Sequence, residues 1–109
     1  MKSAFSAVLI MLLVAPAHAG GTYTGKFRPY YYGDTLYIEP VGATAQDVPA
    51  CAARGLLRLA GDSTTEVYNR KFTIILSAWL AQRDIVLSSI DDNNCSGEGD
   101  EWITIVKPL

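Results

Sequence analysis

From Lys26 to Glu39 apolar and polar residues alternate almost one by one around Gly33-Asp34. A glycine-first pair of this kind suits the two-residue type II′ turn of a β-hairpin. Taking Gly33-Asp34 as the turn sets the pairing. Tyr32 faces Thr35, Tyr31 faces Leu36, Tyr30 faces Tyr37, Pro29 faces Ile38 and Arg28 faces Glu39. Side chains alternate across a strand, so Phe27, Pro29, Tyr31, Leu36 and Ile38 share the face expected to be core. Lys26, Arg28, Tyr30, Tyr32, Thr35, Tyr37 and Glu39 share the other. The opposite charges of Arg28 and Glu39 meet across the pair, which supports this register independently. Before the hairpin, GGTYTG (20–25) reads as a loose start. After it, VGATAQDVPA (41–50) reads as a loop leading to Cys51.

The period then changes. ARGLLRLA (53–60) predicts a third strand, with Leu57 and Leu59 on one face and Leu56 and Arg58 on the other. Beyond Gly61-Asp62, Ser63 with Glu66 three positions on is a capping-box pattern. Tyr68, Phe72, Ile75, Leu76, Trp79 and Leu80 follow at helical spacing and trace one broad apolar face. DIVLSSI (84–90) predicts a fourth strand. The polar loop DDNNCSGEGDE (91–101) leads to a fifth, WITIVK (102–107), which Pro108 ends. The expected class is mainly β with one helix (α+β). A helix between the third and fourth of five strands is the connectivity of the OB-fold, a small partly open barrel. An open sheet with one helix packed on it has the same order of elements. A barrel has the advantage of pairing most strand edges around a small core.

The first nineteen residues change what counts as the domain. Lys2, the apolar run Ala4 to Val14 and the small-x-small site Ala17-His18-Ala19 form the pattern of a secretory signal cleaved after Ala19. The apolar run is shorter than the roughly 20 residues needed to span a bilayer. Residues 1–19 are therefore read as a signal peptide and 20–109 as a single domain with no membrane span, exported to the periplasm or secreted. Losing Lys2 takes the formal net charge from −2 to −3. A mildly acidic domain is poorly suited to nucleic acid, whose affinity comes mostly from Lys and Arg. The sole histidine, His18, lies in the leader. Histidine-based general acid–base, nucleophilic and zinc chemistry are therefore not expected of the exported domain, and no catalytic residue or cofactor is assigned. The two cysteines, Cys51 and Cys95, most simply form one disulfide in an exported chain.

With these elements in place, CAARGLLRLAGDSTTEVYNRKFTIILSAWLAQRDIVLSSIDDNNC resembles the central stretch of a group of small exported bacterial proteins, most of unknown function. They share a cysteine, a Leu-rich strand, an alanine-containing amphipathic helix, a short strand and a second cysteine. The pattern is also similar to the binding subunits of subtilase-cytotoxin-like and pertussis-like toxins. Those subunits are OB-folds that form pentamers and bind glycans. The resemblance spans Thr22 to Lys107 and rests on pattern. It implies a fold and a binding role and carries over no site residue.

Three groups of residues could carry chemistry. Counted from Asp92 as position 1, the loop places Asn94, Ser96, Glu98 and Asp100 at calcium-ligand spacing with Gly97 at the sharp turn. Position 12 is Ile103 where a bidentate glutamate belongs, so the loop is a weak calcium candidate beside the plainer reading of a solvated loop. The acid pairs Asp91-Asp92 and Asp100-Glu101 read as solvated, with no opposing cluster to make a hydrolase. The third group is the hairpin's outer face. Tyr30, Tyr32 and Tyr37, edged by Arg28 and Glu39, offer aromatic area with hydroxyl handles. Such a face suits a protein partner, self-association or a glycan, and tyrosines that merely stabilise strands give the same pattern. The expected function is an exported, non-catalytic binding or assembly module, possible as a subunit of a homo-oligomer. The alternatives are a glycan-binding protein like the toxin subunits, or a periplasmic inhibitor or envelope domain that binds another protein.

Overall fold

A computed structural model describes residues 20–61, 64–90 and 94–109. The leader 1–19, Ser63 of the expected capping box and the acidic Asp91-Asp92 pair lie outside the described residues. The described chain is mainly β with one helix. It runs β1 (Thr22–Tyr32), β2 (Thr35–Gln46), β3 (Leu57–Leu59), α1 (Thr65–Leu80), β4 (Ile85–Ser88), β5 (Glu101–Ile103) and β6 (Ile105–Pro108).

The hairpin forms in the register set by its turn. Tyr32 pairs with Thr35, Tyr30 with Tyr37 and Arg28 with Glu39. Gly33 takes φ 64°, a left-handed value that glycine reaches without steric cost. Both flanks extend further than alternation alone indicates. β1 begins at Thr22, so all but the first two residues of the stretch read as a loose start are strand, and Gly20, Gly21 and Tyr23 are buried. β2 continues to Gln46 through most of the stretch read as loop. The first half of β1 lies between β2 and β4, which supplies pairing that those small and polar residues do not advertise.

The strands form one sheet of order β5-β3-β2-β1-β4-β6, six strands where five are expected. The extra strand is a division within the last one. Thr104 alone separates β5 from β6, so a single run, 101–108, pairs in parallel with β3 and then antiparallel with β4. Three contacts hold the break. The Thr104 amide donates to Ser88 O at 2.9 Å, its hydroxyl accepts from Ile90 N at 3.1 Å, and its carbonyl accepts from Lys71 Nζ at 2.6 Å. Both ends of the strand order thus belong to one segment, and the sheet is curled and barrel-like.

Inside the curl, Phe27, Ile38, Leu57, Ile75, Leu87 and Ile103 are at most 1% exposed. The helix closes this core by packing chiefly on β1 and β6 through Ile75 and Ala78, with Tyr68 and Phe72 partly buried beside them. Its N-cap is Thr64, whose hydroxyl accepts from Val67 N at 3.1 Å, one residue later than the Ser63 expected. Leu80, expected on the apolar face, is 73% exposed at the helix end. Cys51 and Cys95 are joined by a disulfide. No helix among the described residues is long and apolar enough to cross a membrane.

Candidate functional site

The outer face of the sheet, away from the core, carries a ladder of aromatic rings and arginines. Cross-strand pairing brings Tyr30 of β1 and Tyr37 of β2 to 5.6 Å between ring centroids, tilted by 30°. Arg28 lies over Tyr30 at 5.1 Å and donates to Glu39 across the strand pair through Nε at 2.9 Å. On the other side β3 adds Arg58, whose guanidinium stands 5.0 Å from the Tyr37 centroid and 5.6 Å from that of Trp102 on β5. Arg54, just before β3, lies 5.7 Å from Tyr37. Contacts of this kind are weak at an exposed site and stronger where water is excluded.

Asp100 organises the arginines. It is fully buried, and its carboxylate accepts from Arg54 Nε and Arg58 Nε, each at 2.9 Å, and again from Arg54 Nη2. Arg58 Nη2 also donates to Glu98. Burial by itself pushes the Asp100 carboxyl up, but the hydrogen bonds from Arg54 and Arg58 outweigh it and hold the group below the usual carboxylate range. Arg54 is raised in turn, first by its hydrogen bond to Asp100. Burial would lower Arg58, and its bonds to Asp100 and Glu98 raise it instead. The loop is folded around this group. Ser96 Oγ accepts from the Glu98 and Asp100 amides, and Trp102 N donates to Asn94 O at 2.9 Å.

These contacts revise the expected site. Tyr30, Tyr37, Arg28 and Glu39 come together on the face away from the core, with Tyr30 and Tyr37 half-buried. Tyr32 stands at the hairpin tip, 77% exposed. Tyr31, expected in the core with Leu36, is 61% exposed, with its ring centroid 6.5 Å from that of Phe72 on the helix. The core ends before the hairpin does. Arg54, Arg58 and Trp102 belong to the site and were missed. Two arginines four positions apart, one before the Leu-rich strand and one within it, are the available signal.

The acids differ most from expectation. Asp100 and Glu101, read as solvated, are both fully buried. Glu101 shares its strand face with Ile103 and therefore turns inward, a parity already visible in the alternation of WITIVK extended back by one residue. Its carboxylate accepts from Gly21 N at 2.8 Å and from the Tyr23 hydroxyl at 2.6 Å. Burial first, then the bond and charge of Glu101, push the Tyr23 phenol well above its ordinary value. Of the calcium candidates, Asp92 lies outside the described residues. Ser96, Glu98 and Asp100 are already engaged with backbone amides and arginines. No group of three metal-ligating residues occurs among the described residues.

Comparison with known proteins finds no family model, no curated protein and no solved structure that matches the chain.

Proposed function

We propose that the chain is an exported, non-catalytic binding module on a five-stranded OB-like barrel. It recognises a protein surface, a second copy of itself first, through the outer face of β1, β2, β3 and β5. Counting 101–108 as one strand, the helix falls between the third and fourth of five strands, and the third and fifth run parallel. In OB barrels the face of strands 2 and 3, with the loops after strands 1 and 4, is the usual binding surface. Tyr37 lies on β2, Arg58 on β3, and Glu98 and Asp100 in the loop entering β5.

The observation that carries this reading is the ladder itself. Two of its three arginines, Arg54 and Arg58, are held in place by a buried aspartate before any partner arrives, so binding orders few side chains. Tyrosine, tryptophan and arginine are also the residues that dominate interface energetics. A glycan ligand is the second reading, favoured by the open ring of Tyr32 two residues along β1 from Tyr30 and by the likeness to toxin binding subunits.

Light scattering on the exported protein tests the first reading. A mass several times that of the monomer is expected, and replacing Tyr30 and Tyr37 with Ser should weaken association by about 30-fold or more. A wild-type protein that is monomeric at high concentration excludes self-association. Signal on a glycan array, lost in Tyr32→Ser, would then favour the second reading, and a blank array would remove it.

A further inference from the structure

Glu101 presents a contrast with its neighbour. Asp100 is buried against two guanidinium groups. Glu101 is equally buried, yet its partners are an amide and a phenol, both neutral. Among the described residues no cation touches it. A carboxylate in the apolar interior of a small domain is costly unless a positive charge answers it.

The backbone at the start of β1 sits directly on this carboxylate. Gly20 and Gly21 are both buried, and a Cβ on Gly21 would fall 2.6 Å from Glu101 Oε1. Any larger residue there would have to push the carboxylate aside. The Gly21 amide already bonds Glu101, and the Gly20 nitrogen is one residue further, with successive Cα atoms about 3.8 Å apart. Immediately upstream, Ala17-His18-Ala19 ends a small-x-small processing site at the Ala19–Gly20 bond.

We infer that Glu101 is the receptor for a free α-ammonium group at Gly20, created when a signal-peptidase-class endoprotease hydrolyses the Ala19–Gly20 bond. Water is the co-reactant. Ala19 leaves as a carboxylate, and the Gly20 nitrogen becomes an ammonium. Processing thus converts a buried carboxylate with two neutral donors into an ion pair and fastens the first strand to the last. The inference rests on the export reading and is independent of what the outer face binds.

The titratable group packed on Glu101 is Tyr23, while Asp100, Arg54 and Arg58 answer one another in the outer-face cluster. An α-amino group ordinarily titrates at about 7.7–8.0. Pairing with Glu101 raises that value in the folded state. Its stabilisation is therefore complete below about 7.7 and lost as pH rises through the higher folded value.

Mass spectrometry of the exported protein should show a chain beginning at Gly20. Selective transamination of the α-amine, which spares lysines, should then lower Tm at pH 7 by about 4 °C or more. The same treatment should leave Tm unchanged in Glu101→Gln, whose amide can still meet Gly21 N and the Tyr23 hydroxyl. NMR titration of the untreated wild type should place the α-amine above 8. An exported chain that begins elsewhere overturns the inference and spares the binding module. A chain that keeps its leader overturns the export reading as well. An α-amine with an ordinary pKa, or a Tm loss that persists in Glu101→Gln, refutes the ion pair.

Discussion

Arg58 joins more of the outer face than any aromatic residue does. Its side chain is 12% exposed, it stands over Tyr37 and Trp102, and it is bonded to Asp100 and Glu98. The arrangement depends on Asp100 remaining charged. Because the folded-state pKa of Asp100 is depressed, its contribution is present above the unfolded value of about 3.9 and is lost as pH falls below it. Asp100→Asn should cost about 2–3 kcal/mol near neutral pH, where the two guanidinium groups lose their charged partner. Urea unfolding from pH 6 to pH 2 should show the gap between wild type and Asp100→Asn closing toward acid. A gap independent of pH would exclude a charged Asp100. The sequence shows that Asp100 and Glu101 are acids beside a strand. It does not show that two arginines more than forty positions away will close over one of them.

Among the elements, the hairpin was the most legible and its tip the least. The glycine-first turn and the opposed charges of Arg28 and Glu39 define the register from neighbouring residues alone. Alternation assigns Tyr31 to the inward face correctly in parity, but parity does not say how far the core extends, and the ring is left largely in solvent. The helix was legible for a similar local reason, and its C-terminus bears a testable strain. Gln82 N donates to Trp79 O at 3.0 Å and Arg83 N to Ala78 O at 2.8 Å, the paired bonds of a Schellman motif. Gln82 occupies the left-handed position of that motif at φ 55°, which favours glycine. Gln82→Gly should therefore stabilise the domain, by about 1 kcal/mol, even though it removes the side-chain bond to Trp79 O. Thermal unfolding measures it, and a lower Tm would show that this bond outweighs the backbone strain.

At the scale of the molecule, the sheet depends on joining segments distant along the chain. β3 is only three residues long, and its neighbour in sequence, β2, meets it at a single pair, Ile38 with Leu57. Its fuller partner is β5, and the Cys51–Cys95 disulfide holds the approaches to both, closing a span of 44 residues. In the chain-entropy model such a closure stabilises the fold by about 4 kcal/mol. Reduction should lower the urea midpoint and raise m, because the reduced unfolded chain is less compact and exposes more surface. A midpoint unchanged by reductant would mean that β3–β5 pairing needs no such tether.

The residue order by itself determined the hairpin register, the helix and the order of elements, because turn chemistry, side-chain parity and helical spacing act over a few neighbouring residues. Tertiary structure alone decided where the core stops, that the last strand breaks at Thr104 to pair on both sides, and that Asp100 and Glu101 are buried with different partners. Those outcomes depend on contacts between residues tens of positions apart, such as Tyr23 with Glu101, and no local pattern encodes which distant groups will meet.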